Sequence, residues 1–236
     1  DRAVEQKRQH RRELVDRLKG KVGRLIALRG QEPRHFEFPE DIAAIGIRPE
    51  DVGVLDLSEF RVIYFPQGTG YRLNAEQKQQ VFNYVSNGGG YVGSCAGANF
   101  AHKIRLLDFS RFTFYGRALL PIRLEEHPVT EGYGTSKVMH HGNGPIMNPG
   151  PGVRAIGTYR LPTAEGQTHG AILVGKQGEG RVVLFGSHPL GGAIRKGGRS
   201  IRFSGETLGT QRMFVNALLY AAGITGEDET AVTAEE

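Results

Sequence analysis

Cys95 is the only cysteine in this 236-residue chain, and the residues around it are arranged for chemistry. It stands in Gly93-Ser-Cys-Ala-Gly97, after the short apolar run Tyr91-Val and before the small residues Ala96, Gly97 and Ala98. A strand, then Gly-x-Cys-x-Gly, then a helix is the cysteine form of a nucleophile elbow. The backbone at such a turn is strained, and Cβ atoms two positions to either side would collide. Gly93 and Gly97 remove that collision, and Ala96 and Ala98 keep the next turn narrow. Sulfur over a helix N-terminus is expected to ionise easily, so a depressed Cys95 pKa is predicted. The Ala96 N–H, free at the helix start, is placed to meet an oxyanion. Taken alone, a cysteine in a glycine turn is more simply a small buried residue. The symmetric glycines, the strand before and the small-residue helix after favour the elbow.

The elements needed to hold that turn can be read on both sides of it. Arg61-Val-Ile-Tyr-Phe65 is a buried-strand pattern closed by Pro66-Gln-Gly-Thr-Gly70. Asn74 followed by Gln77 is a capping-box variant that predicts a helix to about Ser86, stopped by Asn87-Gly-Gly-Gly90. Tyr91 to Ser94 reads as the next strand and Ala96 to His102 as its helix. Arg24 to Leu28 is a further strand candidate, residues 30–50 read as loop with one helical turn, and residues 108–165 as irregular β structure with long loops. Gly170 to Val174 and Arg181 to Phe185 are two strands joined by a glycine turn, and Thr210 to Ala222 is a closing amphipathic helix ended by Gly223. The alternation implies an α/β three-layer sandwich of flavodoxin-like type, with a mostly parallel sheet and flanking helices. One domain over 23–225 is expected, between a basic N-terminal helix or arm (1–22) and an acidic flexible tail (226–236).

Four segments, in order, resemble one family. Residues 88–98, Gly-Gly-Gly-Tyr-Val-Gly-Ser-Cys-Ala-Gly-Ala, are similar to the signature of biotin–protein ligase N-terminal-type domains, within the class I glutamine amidotransferase-like superfamily. Phe65-Pro-Gln-Gly68 resembles that family's Pro-Gly-Gly turn, Asn143-Gly-Pro145 its Asn-Gly-Pro segment, and Gly180 to Pro189 its late strand ending in Gly-x-His-Pro-Glu. The resemblance spans roughly residues 50–225. It implies Cys95 as nucleophile, His188 as general base, and the N–H groups of Gly68 and Ala96 as the oxyanion hole. It implies attack on a carbonyl carbon through a thioester, and no ligase chemistry. Gln67 and Leu190 depart from the pattern, standing where the family has Gly and Glu. Without an acid after His188-Pro189, nothing in the sequence fixes the imidazole tautomer. A non-catalytic binding or interaction domain that keeps the elbow therefore stays open, as does kinship with trehalose-utilisation-type or intracellular protease/chaperone-type relatives.

Gln67, Tyr71, Asn99, His141 and Asn143 are the pocket candidates around Cys95. His140, His141 and His169 lack the His-x-x-x-His or carboxylate spacing of a metal site. They read as loop or pocket-rim residues, and neither metal nor cofactor is expected. Gly178-x-Gly180 is a hairpin turn and not a phosphate loop. A lone cysteine excludes an internal disulfide or a Cys-rich zinc site. No apolar run approaches the ~18–20 residues of a membrane-spanning helix.

The net charge of +5 is unevenly spread. The first 30 residues hold ten basic and four acidic side chains, whereas residues 226–236 hold five acids and no base. Acids at helical spacing among the N-terminal bases suit a solvated helix better than a nucleic-acid arm. The expected partner is a small-molecule substrate or ligand, with homodimer formation possible. An unpaired cysteine favours a reducing, cytoplasmic setting, while the Asp at position 1 leaves export open.

Overall fold

The computed structural model describes residues 24–28, 43–47, 49–67, 72–113, 116–161 and 168–225. The basic arm, the acidic tail, Gly68 and Tyr71 lie outside the described residues. Strands β1 (Arg24–Leu28), β2 (Ala43–Ile47), β3 (Val62–Phe65) and β4 (Gly90–Ser94) come first, with helix α1 (Ala75–Ser86) between β3 and β4. Helix α2 (Ala96–Lys103) follows β4 directly. Then come β5 (Phe109–Thr113), β6 (Arg117–Leu124), β7 (Ser136–Gly142), β8 (Pro145–Pro149), β9 (Val153–Tyr159), β10 (Gly170–Gln177) and β11 (Gly180–Phe185). A hairpin of β12 (Gly191–Lys196) and β13 (Arg199–Ser204) precedes helix α3 (Gln211–Ala221).

The main sheet runs β2-β1-β3-β4-β11-β10-β9-β6-β7, with β5 and β8 attached beside β10. Pairing is parallel from β2 to β11 and antiparallel beyond it. Two differences from the sequence reading follow. Ala43–Ile47, inside the expected loop, is a strand, and the described residues between Phe109 and Tyr159 form five regular strands rather than irregular β structure.

Alternation along the central strands builds two cores. Ile63 and Phe65 of β3, Tyr91 of β4, and Val182 and Leu184 of β11 pack with Val81 and Val85 of α1 and Ala98, Phe100 and Ala101 of α2. Val62, Tyr64, Val92, Val183 and Phe185 face the other way and pack with Met213, Phe214, Ala217 and Leu218 of α3. With successive side chains on opposite faces, strands apolar throughout must be covered twice, and the result is a three-layer α/β sandwich. Asn74 caps α1 with the predicted box: its side chain accepts from the Gln77 N–H at 2.8 Å, and Gln77 accepts from the Asn74 N–H at 3.0 Å. No described helix is long and apolar enough to cross a membrane.

Candidate active site

Cys95 lies between the end of β4 and the start of α2, with φ 51° and ψ −101°. Positive φ in a non-glycine residue costs of order 1–3 kcal/mol and persists only where the surroundings impose it. The surroundings are rigid. The Cys95 N–H donates to the Phe185 carbonyl at 2.8 Å, which continues the β4–β11 ladder through the turn. A Cβ at Gly97 would lie 1.9 Å from the Phe65 carbonyl oxygen, so α2 seats directly on the end of β3. A Cβ at Gly93 would lie 2.8 Å from the Gly97 carbonyl carbon, and Gly144 passes with its would-be Cβ 3.7 Å from the Cys95 Cα. Three glycines thus let three chain segments meet at one residue.

The thiol is buried and donates weakly to the Gly142 carbonyl at 3.6 Å. Burial pushes its pKa up to about 11, and the Ala96 N–H beside the sulfur only partly opposes this. The expected depression does not occur. A helix of eight residues ends its field within a turn, whereas desolvation acts on the whole charge.

His188 follows β11 and is bound to the end of β7. Its N–H donates to the His140 carbonyl at 2.8 Å, and the two Nδ1 atoms are 3.1 Å apart. The His140 Nε2 sits 3.1 Å from the Ala193 carbonyl on β12. The His188 Nε2 is buried with no hydrogen-bond partner. Burial pushes the His188 pKa down to about 3, helped by His140, His141 and Arg117, while the Gly142 carbonyl works the other way. Burial also lowers the His140 pKa. The thiol and the His188 imidazole both lie beside Gly142: Cys95 donates to its carbonyl, and a Cβ on Gly142 would lie 2.9 Å from the His188 Cε1.

The remaining candidates separate. His140 and His141 lie on strand β7, not in the expected loop, and consecutive positions send them to different partners. His141 is fully buried, its Nδ1 3.0 Å from the Tyr159 hydroxyl. Asn143 is exposed at φ 59°; its backbone N–H donates to the Gly116 carbonyl, and its side-chain oxygen accepts from the Gly116 N–H at 2.9 Å. It fixes the turn into Gly144. Gln67, after β3, and Asn99, one helical turn beyond Cys95, each bury a side-chain oxygen without a hydrogen-bond partner. Polar groups left so are costly unless something pairs with them. His169 meets Phe112 edge-on, and its carbonyl accepts from the Tyr159 N–H. Leu190, where the resemblance expects an acid, is buried in the α3-side core. Among the described residues no three His, Cys, Asp or Glu side chains are grouped to hold a metal ion. A cleft of about 850 Å³, lined by residues 55–61, Gln80, Tyr84 and Gly88 among others, opens where β4 begins, the far end from Cys95.

No protein-family model and no curated protein matches this sequence. Solved structures do. A ThuA-like protein from Parabacteroides merdae aligns over 84% of this chain and 89% of its own, with a TM-score of 0.60 at 14% identity. A glutamine amidotransferase from Thermotoga maritima aligns over 70% of this chain and 75% of its own, with a TM-score of 0.51 at 12% identity. The chain has a glutamine amidotransferase-like fold. A Thermoplasma acidophilum protein named for GMP synthase is similar over 85% of this chain and 94% of its own, with a TM-score of 0.53 at 10% identity. Within this glutamine amidotransferase-like fold, His140, read from the sequence as a loop or pocket-rim residue, is the residue that faces His188. Its signal was only a pair of histidines shortly before Asn143-Gly-Pro145, and alternation alone could not say which of the two faces His188.

Proposed function

We propose that this chain is a cysteine-dependent amidohydrolase or amidotransferase domain acting on the amide carbonyl of a small molecule. The observation that carries the reading is the buried, unpartnered His188 Nε2 in a site where thiol and imidazole both adjoin Gly142. In the resting site both groups are neutral, given pKa values near 11 and near 3. Proton transfer therefore accompanies attack. The Cys95 Sγ–H proton passes to His188 Nε2 as sulfur bonds the carbonyl carbon. The Ala96 N–H, together with the Gly68 N–H that the resemblance assigns, meets the oxyanion. His188 then returns the proton to the leaving nitrogen, the C–N bond breaks and a thioester remains. Water attacks it, losing its proton to His188, and the C–S bond breaks as the thiol is re-protonated. Gln67 and Asn99, with buried oxygens lacking partners, are the groups to receive substrate N–H donors.

A second reading is a binding domain that retains the turn without catalysis. Leu190 in place of an acid and a thiol held neutral by burial favour it. The finer kinship, with biotin–protein ligase N-terminal-type domains, rests on the four sequence segments. The ThuA-like neighbour supports the trehalose-utilisation-type branch instead. Ammonia release from a panel of small primary amides, with hydroxylamine present to trap a thioester as hydroxamate, separates the readings. Turnover and trapping in the wild type, abolished in Cys95→Ala, is expected. Equal ammonia release by both proteins would overturn the cysteine mechanism, and none from either would favour the binding reading.

A further inference from the structure

We infer that His140 is the positioning residue for His188, filling with a neutral imidazole the place that a carboxylate would take after His188-Pro189. The inference rests on the reading of Cys95 and His188 as a reacting pair. It follows from the hydrogen-bonding roles available to three groups in a row. The Ala193 carbonyl can only accept, so the His140 Nε2, 3.1 Å away, carries the proton. A neutral His140 then has a bare Nδ1, which must accept. The His188 Nδ1, 3.1 Å from it, must donate. A neutral His188 is thereby left with its lone pair on Nε2, the one nitrogen of these two rings that is buried without a partner. That is the tautomer a general base needs. Reversing both rings would turn the His140 lone pair onto the Ala193 carbonyl.

The socket is built for this arrangement. A Cβ at Gly192 would lie 2.2 Å from the His140 Cε1, and one at Gly142 would lie 3.0 Å from the same atom and 2.9 Å from the His188 Cε1. The backbone is tied as well, by the His188 N–H donating to the His140 carbonyl at 2.8 Å. Among the described residues, the ionisable groups acting on His140 are His188, its neighbour His141 and, on β6, Arg117, while Gly192 and Ala193 of β12 meet it through their backbone. None is a carboxylate. A carboxylate orienter would also stabilise the imidazolium; His140 sets the tautomer and leaves His188 weakly basic.

The test is the tautomeric state of both rings in the full chain, read from long-range ¹H–¹⁵N spectra of ¹⁵N-histidine-labelled protein near pH 7. The signals are assigned by their loss in His140→Gln and His188→Asn. Protons on His188 Nδ1 and His140 Nε2 are expected; a proton on His188 Nε2 in the wild type would overturn the inference. His140→Leu removes the acceptor, so His188 should shift toward the Nε2–H form. The rate of Cys95 alkylation by iodoacetamide should then fall, on the order of tenfold or more. His140→Gln keeps one acceptor and one donor and should recover most of both. If His140→Leu leaves tautomer and rate unchanged, His140 is a bystander. If it fails to fold, the wild-type and His140→Gln spectra still decide. Expected tautomers with a wild-type Cys95 no more reactive than a buried thiol would refute the nucleophile and leave the His140–His188 relay standing.

Discussion

Acidification should unfold this protein through His188, and the size of the effect follows from the site. An unfolded imidazole takes up its proton near pH 6.5, whereas in the folded chain burial and the surrounding cationic or protonatable groups hold His188 neutral down to about 3. Between these values the unfolded chain binds one proton more than the folded chain, so stability is complete above about 6.5 and falls as pH drops. Over the full interval the loss is about 5 kcal/mol, and by pH 5 it is about 2 kcal/mol, at 1.36 kcal/mol per pH unit. That is a large part of the 5–15 kcal/mol typical of a domain. His127, pushed down to about 4 by burial and then by Arg154 and Arg181, adds to the same limb. The His188 share is isolated by comparing slopes. Urea unfolding of wild type and His188→Asn at pH 7.5 and pH 5 should show the wild type losing about 2 kcal/mol more than the variant, whatever their absolute stabilities. Equal losses within about 0.5 kcal/mol, the scatter ordinary for such measurements, would mean that His188 is hydrated or charged in the folded state. The neutral base invoked for the site would then be wrong.

Two further outcomes probe neighbouring atoms. Iodoacetamide alkylation of Cys95 followed across pH should rise with a midpoint near 11; a midpoint at or below the free-thiol value of ~8.5 would show that the helix terminus or an imidazolium outweighs burial. Gly192→Ala has no backbone penalty of the positive-φ kind but drives a methyl into His140 at 2.2 Å, so the ring must leave both of its hydrogen bonds. A destabilisation of about 1–3 kcal/mol by urea unfolding, with the His188 tautomer disturbed, is expected; unchanged values for both would show that the socket is loose.

The parts legible in the sequence are those made by neighbours in the chain. The capping box at Asn74 and Gln77, the glycine stop after Ser86, the two-residue turn at Gly178 and the apolar runs of β3, β4 and β11 each carry their own physical cause within a few residues. The segments missed lacked such local causes. Ala43–Ile47 is short, contains a glycine and lies in a charged, proline-containing stretch, so nothing but its pairing with β1 makes it a strand. β6 contains Pro121 and β8 begins and ends with proline, residues that argue against a strand until the partners are known. Their pairing is long-range and antiparallel, and local pattern does not encode it.

The site divides along the same line. Gly93, Cys95, Ala96 and Gly97 follow from spacing alone, because a strand that turns into a helix around a side chain needs small residues two positions away on each side. The state of the sulfur does not follow, since helix terminus and burial push in opposite directions and only packing shows burial to be larger. Nor does the orientation of His188. Its partner is 48 residues distant, chosen from an adjacent pair by which face of β7 meets the end of β11 and held by a carbonyl on a third strand. Sequence determined the glycine-flanked turn that holds Cys95; tertiary structure decided how deeply its sulfur and the His188 ring are buried and which groups face them, because desolvation and hydrogen-bond geometry depend on everything brought around an atom and not on its place in the chain.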